Sequence, residues 1–242
     1  MIAGYRAIPP ARELRLHDTH RLIPSKHSAD GTVLSRLIED DTSLNELMEL
    51  DGATNDRLLG EEGLLPGIGV HELVYGVRYA HIVNAAFTHA APHGSRFNDN
   101  QRGAWYAGFE RETSATEVAF HKLRQLKEVR WTREEVGTYD DYLADFSTEM
   151  NDLRGSNPQH QKYLKPEPVP ECYRPSQQLA SALLARQSNG IVYPSVRRTS
   201  GTCLVCFRPA LVYHVRRVAR LEFHLLAGRP FVAEQMREVK IR

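Results

Sequence analysis

Residues 94–121, GSRFNDNQRGAWYAGFERETSATEVAFH, constrain the fold more than any other segment of the chain. HGSRFND predicts a turn, because Gly, Ser, Asn and Asp cluster there. GAWYAGF then predicts a strand of about six residues. From roughly Ser114 to Val129, apolar residues recur at three- and four-residue spacing, which predicts a helix with one apolar face. A turn, a strand and a helix in succession can bring their side chains into one cleft.

Three side chains of this segment suit a phosphorylated ligand that carries a ring. Arg96 lies in the turn, and a guanidinium can grip a diphosphate with paired hydrogen bonds. Tyr106 offers a ring for stacking, and Glu117 places a carboxylate near the start of the helix. The sequence therefore predicts an anion clamp, a stacking surface and a carboxylate in one cleft.

Each of these residues also has a purely structural explanation. Arg96 could be a solvated or ion-paired loop residue. Because adjacent strand residues face opposite ways, one of Trp105 and Tyr106 is expected in the core and the other at a surface or pocket. Ser114 and Glu117 have the spacing of a capping box, so Glu117 could only bond the backbone at the helix start.

Composition excludes several classes of protein. The 242 residues, 41% of them apolar, allow one domain with an appendage, and 31 Lys and Arg against 30 Asp and Glu leave no basic surface for nucleic acid. The sequence contains neither an apolar run long enough to cross a membrane nor the apolar core of a signal peptide. Three cysteines, an odd count, indicate free thiols in a reducing compartment. We expect a cytoplasmic protein.

The chain divides into a polar N-terminal extension, residues 1–69, and a domain over residues 70–242. TVLSRLIEDD and SLNELMEL predict two short helices in the extension. Strands and helices alternate in the second part without a regular βαβ rhythm, which predicts an α+β fold with a mixed sheet and flanking helices. Further expected elements are strands near 71–76 and 80–88, a helix over 131–154, a helix over 176–190, strands at IVYP and TCLVC, and a strand or helix over 211–228.

A metal site is not expected. Cys203 and Cys206 have metal-ligand spacing, but no second pair accompanies them, and an apolar strand favours core packing. The chain also lacks a Gly-rich phosphate loop of standard spacing.

Arg96 in GSRFN, Glu117 in ATEV and Ser195 in YPS occur in an order and context that resemble the RES-domain family, named after a conserved Arg, Glu and Ser. The resemblance runs from about residue 70 to about residue 215. It implies a fold similar to ADP-ribosyltransferase toxins and cleavage of NAD⁺ at the nicotinamide–ribose bond, by hydrolysis or phosphorolysis. It also implies a partner, a helix-turn-helix antitoxin of the Xre type.

The resemblance assigns roles to the candidate residues. Glu117 would stabilise the positive charge that develops on the ribose, since the transition state is oxocarbenium-like. Arg96 would bind the pyrophosphate, and Tyr106 would stack on the nicotinamide or ribose. Ser195 would orient the substrate or a phosphate by hydrogen bonding and would not attack, because no G-x-S-x-G elbow surrounds it.

Arg78, in YGVRY, is the candidate for an additional arginine that many relatives carry upstream, and it is counted with the NAD⁺-binding residues. If inorganic phosphate is the co-substrate, a second cation is needed, and Arg78 and Arg197 are the candidates. No cofactor is expected beyond NAD⁺ as substrate. An ADP-ribosyltransferase acting on a macromolecule, or a catalytically silent binding module, stays open as an alternative, and so does homo-oligomerisation.

Overall fold

The computed structural model describes residues 8–28, 67–155 and 157–240. One seven-stranded sheet, in the order β1-β2-β5-β4-β3-β6-β7, forms the centre of the fold. Because β1 also pairs with β3, the pairings close a ring of five strands from which β6 and β7 extend. All pairings are antiparallel except β3–β4. The strands are β1 (Ala11–Pro24), β2 (Trp105–Gly108), β3 (Glu134–Asp152), β4 (Gly190–Pro194), β5 (Thr202–Cys206), β6 (Tyr213–Leu226) and β7 (Met236–Val239).

Three α-helices accompany the sheet in the described part of the chain: α1 (Ala80–Thr88), α2 (Arg111–Glu128) and α3 (Arg174–Leu184). The predicted α+β class with a mixed sheet and flanking helices is confirmed. Strands β2, β4 and β5 and helices α2 and α3 occur where the sequence predicts them, and residues 213–226 form a strand. The two short helices predicted within residues 32–50 lie outside the described residues.

The helix predicted over residues 131–154 is wrong, since this segment forms the long strand β3. Residues 139–146 of β3 are all buried, including three aspartates. Their charges are balanced by residues distant in sequence: Asp140 pairs with Arg220 at 2.6 Å, and Asp141 with Arg111 at 2.8 Å. The acidic composition that resembles a solvated helix therefore belongs to a central strand with buried ion pairs.

The strands predicted near residues 71–76 and 80–88 are also wrong. Residues 70–72 form a short 3-10 turn, and residues 80–88 form helix α1. Most of α1 is buried, and its polar Asn84 exchanges hydrogen bonds with the backbone N–H and C=O of Val74, at 3.0 and 2.9 Å. A helix that is apolar on nearly every side lacks the amphipathic period that distinguishes helix from strand.

Strand β1 was not predicted. It pairs with β3 along most of its length, from Ala11 opposite Asn151 to Pro24 opposite Tyr139. Residues 11–24 of the predicted N-terminal extension are therefore part of the sheet. The alternation of leucines with charged residues in ELRLH is the local signal that indicates a strand here.

The core lies on both sides of the closed part of the sheet. One cluster contains Trp105, Phe146 and four buried apolar residues of α1, and a second packs Leu179 and Leu183 of α3 against β4 and β5. Within residues 8–28, 67–155 and 157–240, no helix combines the length and apolar character needed to span a bilayer.

Candidate functional site

A cavity of about 260 Å³ opens where β1, β2 and α2 meet. Three of the predicted site residues, Arg96, Tyr106 and Glu117, line it. Ser195 follows the last residue of β4 and contacts Glu117. The complete lining consists of Arg21, Leu22, Ser95, Arg96, Tyr106, Ala107, Gly108, Ser114, Glu117, Val118, His121, Tyr173, Tyr193 and Cys203.

Glu117 does not cap its helix. Helix α2 begins at Arg111, earlier than the sequence predicts, so Glu117 lies in its second turn. The hydroxyl of Ser114 accepts a hydrogen bond from the N–H of Gly108 at 2.9 Å and does not cap the helix start. The capping-box explanation of Glu117 is therefore wrong, and its carboxylate faces the cavity instead.

Glu117 and Ser195 form a hydrogen-bonded pair. The hydroxyl of Ser195 donates to Oε1 of Glu117 at 2.7 Å. The Ser195 hydroxyl oxygen in turn accepts hydrogen bonds from the backbone N–H groups of Arg197 and Arg198, at 3.2 and 3.0 Å. With two donors fixed on its oxygen, the Ser195 hydroxyl has its proton directed at the carboxylate, so Ser195 positions Glu117.

The environment of Glu117 acts on its charge in two opposing directions. Burial raises the pKa of the Glu117 carboxyl above its usual range, because desolvation disfavours the ionised form. The hydrogen bond from Ser195 and the positive charges of Arg197 and Arg96 lower that pKa and favour the carboxylate. A carboxylate held in this way can stabilise a developing positive charge inside the cavity.

Arg96 is buried and rigidly held. Its Nη1 donates to the backbone carbonyls of Tyr163 and Lys165 at 3.2 and 2.9 Å, and its guanidinium stacks over the ring of Tyr173 at 4.9 Å. Among the described residues no carboxylate pairs with it. Arg96 is thus an anchored cation at the cavity wall, in a position that can receive an anionic ligand.

Tyr106 faces the cavity with its ring and ties two segments together with its hydroxyl. As expected for neighbouring strand residues, Trp105 is fully buried in the core whereas Tyr106 lines the cavity. The Tyr106 hydroxyl accepts from the N–H of Phe97 at 2.9 Å and donates to Oδ1 of Asn98 at 2.8 Å. Tyr106 therefore fixes the turn that carries Arg96.

Arg21, on β1, lines the cavity and was missed in the sequence. Its Nη1 donates to the backbone carbonyl of Tyr106 at 3.1 Å, and its guanidinium lies 4.7 Å from the centre of the Trp105 ring. Burial lowers the pKa of Arg21 to about 10. No motif pointed to it, because its position depends on a strand pairing that the sequence did not predict.

The other two candidate arginines do not line the cavity. Arg78 is exposed and packs on the ring of its neighbour Tyr79. The buried side chain of Arg197 lies 3.4 Å from the centre of the Phe120 ring and donates to the carbonyl of Pro166 at 2.6 Å. Of the two, only Arg197 acts on the site, through its charge on Glu117.

The cysteines are free and buried. Cys203 lines the cavity, with its sulfur 3.9 Å from Oε1 of Glu117. Cys206 lies in the core. Across the described residues, no group of three or more His, Cys, Asp or Glu side chains is placed to hold a metal ion.

Known proteins provide two points of comparison. The chain is similar in structure to the crystal structure of the M. tuberculosis MbcT-MbcA toxin-antitoxin complex, with 13% sequence identity and a TM-score of 0.44, over 88% of this chain and 87% of that chain. No curated protein matches the chain in sequence. The sequence profile of the RES domain matches residues 73–226, which include Arg96, Glu117 and Ser195. The chain belongs to the RES-domain family.

Proposed function

We propose that this protein is a toxin that cleaves the nicotinamide–ribose bond of NAD⁺ and is neutralised by an antitoxin. The observation that carries the proposal is the Glu117–Ser195 pair, bonded at 2.7 Å, at the wall of a cavity that also holds Arg96. NAD⁺ carries a cationic nicotinamide ribosyl group and an anionic pyrophosphate. The Glu117 carboxylate suits the first, and the Arg96 guanidinium suits the second.

Cleavage of the nicotinamide–ribose bond requires electrostatic stabilisation of its transition state. Nicotinamide leaves NAD⁺ as a neutral molecule, so no general acid is needed, and positive charge passes to the ribose in an oxocarbenium-like transition state. The Glu117 carboxylate would stabilise that charge and hold the 2′-hydroxyl. Ser195 keeps the carboxylate in place and favours its ionised form.

The remaining lining residues would position the substrate. The rings of Tyr106, Tyr173 and Tyr193 offer surfaces on which a planar nicotinamide can stack. The cavity, at about 260 Å³, is slightly smaller than the roughly 300–1,000 Å³ typical of ligand sites. It would therefore enclose the nicotinamide ribosyl half of the dinucleotide, while the other half extends from its mouth.

Product analysis tests the reaction. We expect purified protein incubated with NAD⁺ to release nicotinamide and to leave ADP-ribose, or ADP-ribose 1″-phosphate when inorganic phosphate is present. Label from adenine-labelled NAD⁺ that appears on a macromolecule would instead establish ADP-ribosyl transfer. Intact NAD⁺ after prolonged incubation with folded protein would refute the catalytic proposal.

The toxin role has its own test, because NAD⁺ cleavage alone does not establish it. We expect induced expression in bacteria to deplete NAD⁺ and stop growth, and Glu117→Gln to abolish both effects. A helix-turn-helix antitoxin of the Xre type is the proposed partner, as the family resemblance implies, and its co-expression should restore growth. A silent binding module would inhibit growth equally with and without the Glu117 carboxylate.

A further inference from the structure

Arg21 places a positive charge in a partly buried position where its solvation is reduced. Its Nε is buried and has no hydrogen-bond partner among the described residues, and no carboxylate in that part of the chain pairs with it. Burial alone accounts for the lowering of its pKa. Taking a guanidinium out of water without an opposite charge is unfavourable. Burial of Arg21 therefore costs solvation free energy that no ion pair among the described residues offsets.

Comparable arginines elsewhere in the protein are compensated. Arg102 binds Glu72 through two hydrogen bonds, at 2.9 and 2.8 Å, and Arg111 binds the buried Asp141 at 2.8 Å. By contrast, both arginines that line the cavity, Arg21 and Arg96, lack a carboxylate partner among the described residues. The two cavity arginines therefore differ from Arg102 and Arg111, whose charges are balanced within the protein.

Tyr106 fixes the two cavity arginines together. Its carbonyl accepts from Arg21, and its hydroxyl accepts from the N–H of Phe97, the residue after Arg96. Stacking on Trp105 and Tyr173 further restricts the two guanidinium groups. Such preorganisation reduces the entropy lost when a ligand is bound.

We propose that Arg21 and Arg96 form an anion subsite that binds a phosphate group of the ligand. Two guanidinium groups suit this ligand because each can donate paired hydrogen bonds to phosphate oxygens. The phosphate is either the pyrophosphate of the dinucleotide or free inorganic phosphate. In naming these ligands the inference rests on the proposed function, whereas the subsite itself rests on the contacts of Arg21 and Arg96.

The subsite is composed of two parts of the chain. Arg96 lies within residues 73–226, which match the RES domain, and Arg21 lies outside them on β1. Strand β1 is therefore a functional element as well as a structural one. A protein that lacks it would keep Glu117, Ser195 and Arg96 in sequence but would lose half of the subsite.

Calorimetric titration of the full chain with inorganic phosphate, pyrophosphate and ADP, at fixed ionic strength, tests the subsite without any turnover. We expect Arg21→Gln to weaken binding by roughly 10- to 100-fold, the effect of losing a charged hydrogen-bonding partner. Arg21→Lys should show a smaller loss, because lysine keeps the charge but not the paired donors. Arg15→Gln, on the same strand with a side chain 77% exposed, is the matched control and should bind as the wild type does.

The pattern of losses identifies the source of the phosphate. If Arg21→Gln weakens the binding of pyrophosphate and ADP only, the subsite belongs to the dinucleotide. If it also weakens the binding of inorganic phosphate, the subsite belongs to a free anion. The melting temperature of the unliganded Arg21→Gln variant should equal or exceed that of the wild type, because a buried unpaired charge is removed.

Unchanged affinities in both Arg21 variants, or failure of all three probes to bind the wild type, would overturn the subsite. If Arg21→Gln does not fold, the affinities of Arg21→Lys decide. Because no step requires NAD⁺ cleavage, an Arg21-dependent anion site in a protein that leaves NAD⁺ intact would refute the proposed function alone.

Discussion

Ser195→Ala separates positioning of the carboxylate from direct participation in the reaction. The change removes one hydroxyl, which donates to Glu117 at 2.7 Å and accepts two backbone N–H groups. The two N–H groups lie in a partly exposed loop where water can replace the hydroxyl, so the fold should lose only about 1 kcal/mol. The main effect of Ser195→Ala should be a change in the pKa of Glu117.

The direction and size of that consequence follow from the site. Burial raises the pKa of Glu117, and the Ser195 hydrogen bond lowers it, so the variant should have a still higher pKa. A hydrogen bond to a charged group contributes about 1.5–3 kcal/mol. Because Glu117 is only partly buried, the low end applies, so the variant should lose about 1.5 kcal/mol of stabilisation of the ionised carboxyl, which raises the pKa of Glu117 further.

The pH dependence of kcat/KM for NAD⁺ cleavage measures this shift. If the reaction uses the ionised Glu117 carboxylate, as proposed, activity should be lost as the pH falls through the pKa of Glu117. In Ser195→Ala this acid limb should move to higher pH, and activity should recover partly at alkaline pH. Ser181→Ala, at an exposed position of α3, is the control and should keep the wild-type profile. If kcat/KM of Ser195→Ala falls by the same factor at every pH and the acid limb does not move, Ser195 does not act through the ionisation of Glu117.

Two further predictions concern how the site is held. Tyr106→Phe removes the hydroxyl that binds both the N–H of Phe97 and the side chain of Asn98. It should lower the free energy of unfolding by about 1–3 kcal/mol, measured by urea unfolding, and raise the KM for NAD⁺, measured by steady-state kinetics. An unchanged KM would argue against the link between Tyr106 and Arg96. Asp141→Asn breaks the buried pair with Arg111 and should cost about 3 kcal/mol in the free energy of unfolding, whereas a loss below about 0.5 kcal/mol would mean that the pair contributes little.

The part of the site that sequence predicts best is the part built from neighbouring segments. Arg96, Tyr106 and Glu117 lie on a turn, a strand and a helix that follow one another, so short connections keep them near one another. Ser195 is far along the chain. The family resemblance implied that Ser195 belongs to the same site, whereas its hydrogen bond to Glu117 is known from the structure alone.

The misread elements depend on distant partners. Asp140 and Asp141 look solvated in sequence, but distant partners such as Arg220 on β6 and Arg111 on α2 make their burial in β3 favourable. Arg21 reaches the cavity because β1 pairs with β3, more than 100 residues later in the chain. Intrinsic preference and periodicity describe a segment alone, so they carry no signal for such long-range pairings.

Nicotinamide release by Glu117→Gln, compared with the wild type at one saturating NAD⁺ concentration, tests the role of the Glu117 carboxylate. Glutamine keeps the shape and can accept the Ser195 hydrogen bond, but it removes the charge. Glu112→Gln, at an exposed position of the same helix, is the matched control. We expect Glu117→Gln to melt at or above the wild-type temperature and to lose roughly 100- to 1000-fold in rate, with Glu112→Gln unaffected. Wild-type release by a folded Glu117→Gln protein would contradict a catalytic carboxylate at this position.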